Sequence, residues 1–305
     1  MKKIFMSNIN KHNDWKKWNQ EGFIPGPEES EVNFKQRVAF CENLKQKFIR
    51  NTELDIPFDE SDLASQVIVQ EAAEETKQIY GIAPHWPPLF FNNYQLAPWH
   101  AGCAWIFRLD EQTPTAAFLQ LRAQFKERLN YLGIYNRKEL LVHELAHVGR
   151  MMYTEPQFEE ILAYQSSHSR LRRFLGPIVQ SSKESLLFIL LLGVILVTNL
   201  ALLMTDISLA TTFMLGLQLI PIFFVGLALG RLFRKQYLIN RCRKVLENHL
   251  PNKQVANHFL YRLLDSEIRI FACSSRTEMQ TFIQNQAVNN FRWKFLVSLY
   301  PFKKE

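Results

Sequence analysis

Residues 186–204 of this 305-residue chain read LLFILLLGVILVTNLALLM, and residues 209–230 read LATTFMLGLQLIPIFFVGLALG. Neither run contains a charged residue, and only residues 205–208 separate them. Nineteen helical residues extend about 28 Å, close to the roughly 30 Å hydrocarbon thickness of a bilayer. The pattern predicts two transmembrane helices, at 186–204 and 209–230, that form a tight hairpin, because two such runs in succession are rare in soluble cores.

Basic residues are concentrated on both sides of this hairpin. Residues 168–185 carry a net charge of +3 and residues 231–253 one of +6, which together exceed the +7 of the whole chain. The positive-inside rule therefore predicts that both flanks and both termini are cytoplasmic and that the loop with Asp206 lies outside. The flanks also suit anionic lipid headgroups. No nucleic-acid-binding motif accompanies the charge, so we expect a lipid bilayer and no nucleic acid as partner.

Composition excludes several classes of protein. The 47% content of hydrophobic residues, with 11 Gly and 13 Pro, excludes a disordered or collagen-like chain. The four cysteines are far apart and form no C-x-x-C pair, so neither a disulfide framework nor a cysteine zinc site is expected. A polar stretch at 7–14 interrupts the cationic start, which argues against a secretion signal. The expected absence of a secretion signal, together with the short hairpin, favours a bacterial inner membrane as the location.

The region before the hairpin, residues 1–168, is predicted to be an α+β domain. We expect helices at 31–50 and 61–80, with Ser61 as the N-cap of the second, short strands at 89–91, 103–109 and 116–121, and a helix that begins at Asn136. Residues 231–305 are predicted to be a cytoplasmic helical tail. Its expected helices are at 231–250 and 257–272, and residues 291–301 are an aromatic segment of this tail.

The helix that begins at Asn136 carries a metal-binding pattern. Residues 136–150 read NRKELLVHELAHVGR, which contains H-E-x-x-H. Residues four apart share one face of a helix, so His143 and His147 can bind the same metal ion. Glu144 lies beside them, where its carboxylate can polarise a water molecule. The alternative is two ordinary histidines and a Glu. The other positions of residues 140–148 are uncharged and mostly apolar, which suits a dry site and disfavours this alternative.

A catalytic zinc ion needs a third protein ligand. Residues 154–157 are predicted to turn into a further helix, with Thr154 as its N-cap, and this helix carries Glu159 and Glu160. Both carboxylates are candidates for the third ligand. Metzincins place a third His six residues after the second one, where this chain has Tyr153, so that class is excluded.

His143-Glu144-x-x-His147 followed by Glu160-x-x-Ala163 resembles the gluzincin type of zinc metallopeptidase, in which a Glu of the next helix is the third ligand. The resemblance covers about residues 140–166. It implies a zincin-like domain that binds Zn²⁺ through His143, His147 and Glu160, with Glu144 as general base, and it favours Glu160 over Glu159. Ala163 would let the two helices approach closely. Gluzincins often have Asp or another polar residue where this chain has Tyr164.

Two membrane-bound types of H-E-x-x-H protease differ from this chain. Intramembrane site-2-type proteases carry the motif inside a span, whereas charged residues at 137–139 and 150 bracket it here. Asp206 lies in a loop and not in a second metal motif. Proteases of the HtpX quality-control type are loosely similar, but their hydrophobic segments precede the motif or separate the His pair from the Glu. The resemblance is therefore to the clan and not to that subfamily.

Other residues near the motif are weaker candidates. The stretch 102–107 is a candidate edge strand to which a peptide substrate could add as a further strand; an ordinary core strand is the alternative. His100 is a less favoured metal ligand. Candidates for stabilising an oxyanion are Tyr164, Tyr153, Arg150 and His168, of which Tyr164 is preferred because it lies one turn after Glu160.

These patterns together predict an α+β, zincin-like metallopeptidase domain followed by a transmembrane hairpin and a helical tail. The expected function is that of a membrane-anchored zinc metallopeptidase. It would hydrolyse protein or peptide substrates near the membrane, with its active site facing the cytoplasm. One alternative is a non-enzymatic membrane scaffold that retains a zincin-like fold. Another is a zinc hydrolase that acts on non-peptide amides.

Overall fold

The structure is a computed structural model that describes residues 2–49, 57–178, 182–204 and 210–303, and its fold is mixed α+β. The loop with Asp206 and the last residue of the helix predicted at 31–50 lie outside these ranges. The helices are α1 (Lys2–Gln20), α2 (Glu31–Glu42), α3 (Leu44–Ile49), α4 (Gln66–Tyr80), α5 (Arg137–Gly149), α6 (Glu159–Ala163), α7 (Arg170–Leu175), α8 (Ser182–Leu203), α9 (Ala210–His249), α10 (Lys253–Tyr261), α11 (Asp265–Cys273), α12 (Arg276–Asn289) and α13 (Phe291–Leu299).

A small sheet lies between α4 and α5 in the sequence. Its strands are β1 (Leu89–Phe91), β2 (Gly102–Phe107) and β3 (Ala116–Leu121), and a separate two-residue hairpin consists of β4 (Asn130–Tyr131) and β5 (Tyr135–Asn136). The order is β1-β3-β2, with β1 parallel and β2 antiparallel to β3. The three predicted strands are confirmed, although β2 covers 102–107 and not 103–109. Strand β2 is an edge of this sheet.

The start of α4 differs from the prediction. Ser61 lies in a 3₁₀ turn (Glu60–Asp62), and α4 begins only at Gln66, after Ser65. The reason is that the backbone before α4 pairs with β1: Ala64 N donates to Leu89 O at 2.8 Å, and Leu63 forms a bridge with Phe90. This pairing is incompatible with a helix over the same residues.

Two other predicted helices are interrupted. The helix predicted at 31–50 breaks at Asn43, whose side chain donates to the carbonyl of Ala39 at 2.8 Å and ends α2. The helix predicted at 257–272 divides into α10 and α11. Two side chains from the turn after α5 donate hydrogen bonds to the carbonyl groups at this break. Arg150 donates to Tyr261 O and Leu263 O, and the Tyr153 hydroxyl donates to Arg262 O.

Helices α8 and α9 are long and apolar enough to cross a membrane. Helix α9 continues through Pro221 to His249, so the second uncharged run and the basic segment predicted at 231–250 form one helix. Large apolar side chains on both helices are exposed, for example Leu196 (61%) and Phe223 (68%). Phe188 stacks on Phe224, with ring centroids 5.5 Å apart, and Arg231 Nη1 lies 2.6 Å from Glu184 Oε1.

The helices that follow α9 share a core with the region that precedes α8. One cluster of buried apolar residues contains Phe34 and Leu145 together with Leu246, Phe259 and Trp293. In the same core, Arg292 donates from Nη1 and Nη2 to the two carboxylate oxygens of buried Glu267, at 2.8 and 2.7 Å. The segment after the hairpin therefore contributes to the same hydrophobic interior as the sheet and α5. The domain limits predicted from the sequence stay a prediction.

Substitution of Gly149 tests this packing. A Cβ at Gly149 would lie 2.3 Å from the Tyr261 hydroxyl and 2.6 Å from Ile82 Cδ1. Overpacking of this kind costs about 1–3 kcal/mol, so we expect Gly149→Ala to lower the Tm of thermal unfolding by a few degrees. The control is Gly230→Ala, where a Cβ would have no atom within 4 Å. An equal Tm for both variants would contradict the close contact.

Candidate metal centre

Helix α5 positions the H-E-x-x-H residues. The Asn136 side chain caps it by accepting from Lys138 N (3.0 Å) and Glu139 N (3.2 Å), which confirms the predicted start. The Glu139 carboxylate, three residues after the cap, accepts from Ser167 Oγ at 2.6 Å and from Arg172 Nη2 at 2.9 Å. These contacts fix the first turn of α5 against the segment that leads to the hairpin.

The turn between α5 and α6 brings a carboxylate to the two histidines. Thr154 is not the N-cap that was predicted, because α6 begins only at Glu159, after Phe158. Asp265 explains the late start: its Oδ2 accepts from Gln157 N at 2.5 Å and from Phe158 N at 3.3 Å. At the other side of the turn, Arg150 Nη2 lies 3.6 Å from Asp265 Oδ1. The junction of α10 and α11 therefore holds both ends of the turn.

The donor atoms of His143, His147 and Glu160 lie within 4.8 Å of one another and could hold a metal ion. The two Nε2 atoms are 3.3 Å apart, and each is 3.6 Å from an oxygen of Glu160. Ligand atoms about 2.0–2.1 Å from a tetrahedral zinc ion lie about 3.3–3.4 Å from one another. The separations therefore fit a shared ion, and two imidazoles with one carboxylate are a donor set that zinc uses in catalytic sites.

Glu159 contacts the other nitrogen of His147. Its Oε1 lies 2.8 Å from His147 Nδ1, on the far side of the ring from Glu160. A carboxylate that accepts from Nδ1–H fixes the tautomer in which Nε2 carries the free lone pair. The two adjacent carboxylates thus have different positions: Glu160 lies among the donor atoms, and Glu159 orients one of the imidazoles. The second role was not predicted from the sequence.

The electrostatics of the group suit both metal binding and proton transfer. Burial lowers the pKa of His147, but the bond to Glu159 and the charges of Glu160 and Glu144 outweigh it and raise that pKa to about 9. A metal ion that bound this ring at neutral pH would therefore have to displace a proton from it. Burial raises the pKa of Glu144, while His143 and His147 partly oppose the shift. A carboxylate with a raised pKa is the better proton acceptor for general-base work near pH 7.

A cavity of ≈ 270 Å³ opens beside His143 and Glu144. Strand β2 forms one wall through Gly102, and His100 also lines it. Alanines pack the helices behind the site, because Ala146 of α5 and Ala163 of α6 are buried in one cluster with Tyr80 and Tyr261. The close approach predicted for Ala163 is consistent with this packing.

The four candidates for an oxyanion donor have different surroundings. Arg150 and Tyr153 are buried and donate to carbonyl groups of residues 261–263, and His168 lies beside Glu75 and Glu139. Tyr164 packs edge-on against His143, with ring centroids 4.7 Å apart, and lines the cavity. Burial raises the pKa of Tyr164 to about 12, so its hydroxyl keeps a proton that it can donate.

No protein-family model, curated protein or solved structure matches this chain. The resemblance to gluzincins is therefore limited to the motif residues. The candidate metal site is supported by the distances between its side chains. The H-E-x-x-H spacing correctly predicted that the two histidines lie close together in the structure. The position of Asp265, more than 100 residues later, had no pattern in the sequence that could reveal it.

Substitution of Glu159 tests its orienting contact. Loss of a carboxylate that supports a metal-bound imidazole typically costs 10–100-fold in metal affinity. We expect Glu159→Gln to bind zinc with an affinity reduced by about that factor, as measured by competition with a chelator of known affinity. Glu71→Gln is the control, since this carboxylate is exposed. An affinity of Glu159→Gln equal to that of the control would show that the contact does not support a metal ligand.

Proposed function

We propose that this protein is a membrane-anchored zinc metallopeptidase with a zincin-like domain. The observation that carries the proposal is the convergence of two imidazoles and a carboxylate, from His143, His147 and Glu160, beside the buried carboxyl group of Glu144. The same three ligands without a neighbouring base would suit a structural metal site as well as a catalytic one. A base next to the donor group, facing a cavity, favours hydrolysis instead.

His143, His147 and Glu160 would hold a Zn²⁺ ion, which would supply Lewis acidity toward a peptide carbonyl and a water molecule. Glu144 accepts the proton of the attacking water and passes it to the leaving nitrogen. The hydroxyl of Tyr164 donates to the carbonyl oxygen as charge develops there. The edge of β2 aligns the peptide as an added strand, so that its scissile bond lies in the cavity next to Glu144.

The proposed location is a bacterial inner membrane that α8 and α9 cross as two spans. A chain that crosses a bilayer twice returns to its starting side, and the core that Leu145 and Leu246 share supports this arrangement. The basic flanks favour the cytoplasm as that side, with both termini in it. Helix α7 ends at Leu175 and α8 begins at Ser182, so the site lies close to the membrane. Its substrates are therefore protein segments near the bilayer.

Substitution of Glu144 separates catalysis from metal binding. In this proposal Glu144→Gln binds zinc normally but hydrolyses a quenched-fluorescent casein at least about 100-fold more slowly, because a general base typically contributes 10²–10⁴-fold. Glu74→Gln, at an exposed position on α4, is the matched control. Wild-type cleavage rates in Glu144→Gln would refute the role of Glu144. Zinc binding without any cleavage by the wild-type protein would favour the non-enzymatic scaffold.

A further inference from the structure

A groove of ≈ 240 Å³ lies between α7 and α9, and Ile161 of α6 also lines it. Its polar lining consists of three arginines and three side-chain amides, namely Arg170, Arg173, Arg243, Gln165, Gln236 and Asn240. Among the described residues, no Asp or Glu belongs to this lining. The groove therefore presents hydrogen-bond donors and positive charge, which is the composition of an anion site.

The three guanidinium groups lack a salt-bridge partner within the described residues. Arg243 donates to Asn257 Oδ1 at 2.8 Å and Asn240 Oδ1 at 2.6 Å, and Arg173 donates to Ser167 O at 2.8 Å. These acceptors are uncharged, and none of the described carboxylates forms an ion pair with Arg170, Arg173 or Arg243. Burial lowers the pKa of Arg243, and the nearby charge of Glu247 does not compensate for it. Three unpaired cations around one groove leave a net attraction for an anion.

We propose that this groove binds a phosphate group, as a monoester or diester, through Arg170, Arg173 and Arg243. The planar guanidinium group binds phosphate oxygens in a bidentate way, and the amides of Gln236 and Asn240 provide further donors. Two sources of this chemistry exist, a membrane lipid and a soluble phosphate compound. The surroundings of the groove favour the lipid.

The rim of the groove is apolar and close to the hairpin. Phe174 lines the groove and packs against Phe233, with ring centroids 5.3 Å apart, and both rings are exposed (41% and 52%). Phe233 follows the end of the uncharged run at Gly230 by three residues, or about 4.5 Å of helix. This is the depth of lipid headgroups if α9 spans the bilayer. A lipid can thus place its glycerol and the ester ends of its chains beside the two rings and its phosphate among the arginines.

The groove also contacts the element that carries a metal donor. Ile161 lines it and directly follows Glu160 in α6. A ligand in the groove therefore packs against the helix that brings Glu160 to the two histidines. Binding of a ligand in the groove can nevertheless be measured without the metal. A test of the groove is therefore independent of a test of peptidase activity.

The test is binding of phosphatidylglycerol to the delipidated full-length protein in detergent, measured by native mass spectrometry. We expect the triple variant Arg170→Gln, Arg173→Gln, Arg243→Gln to bind this lipid at least 10-fold more weakly than wild type. The matched control removes three exposed cations elsewhere on the protein, through Arg241→Gln, Lys244→Gln and Arg269→Gln, and should stay within 2-fold. A variant with Lys at the three groove positions keeps the charge and should recover part of the affinity.

The outcomes distinguish the two sources. Lipid binding that depends on the three arginines and resists 10 mM inorganic phosphate supports the lipid. Displacement of the lipid by inorganic phosphate in wild type, with phosphate binding lost in the triple variant, supports the phosphate site and overturns the lipid as its ligand. Equal lipid affinity in the triple variant and in the control overturns the proposal. Thermal unfolding of each variant verifies that a loss of binding is not a loss of fold.

Discussion

The turn between α5 and α6 is the constraint on which the candidate site depends. Within the residues from Arg150 to Phe158, the chain must reverse and deliver Glu160 to 3.6 Å from two histidines of the preceding helix. Asp265 makes this possible, because it accepts from the backbone of Gln157 and Phe158 and faces Arg150. A buried carboxylate with these partners is costly to remove, since its donors would then be left unsatisfied.

This constraint links the site to the hairpin. Asp265 begins α11, which packs on the part of α9 beyond the second apolar run, where Leu232 and Ile239 are buried in the common core. Asp265 follows both apolar helices in the sequence, whereas the turn that it contacts precedes them. The candidate site is therefore completed by a residue from the far side of the hairpin in the sequence.

Local patterns predicted much of the fold, and long-range contacts decided the rest. The three strands were predicted from the sequence, and the cap at Asn136 located α5. Ser61 and Thr154 are good N-cap residues, but strand pairing of Ala64 and the bonds from Gln157 to Asp265 moved both helix starts. Helices α1 and α7 were not predicted, and α12 and α13 were expected only as part of a helical tail. Spacing identified the His pair, whereas the different roles of Glu159 and Glu160 depend on which side of the His147 ring each carboxylate reaches.

The most direct test of a zinc ion shared by His143, His147 and Glu160 is the zinc content per purified chain under saturating metal. We expect about one zinc in wild type, loss of zinc in Glu160→Ala, and retention of zinc in Glu159→Ala. Circular dichroism of each variant verifies the fold. A folded wild-type chain without zinc, or a Glu160→Ala variant that keeps it, would contradict the three-ligand site.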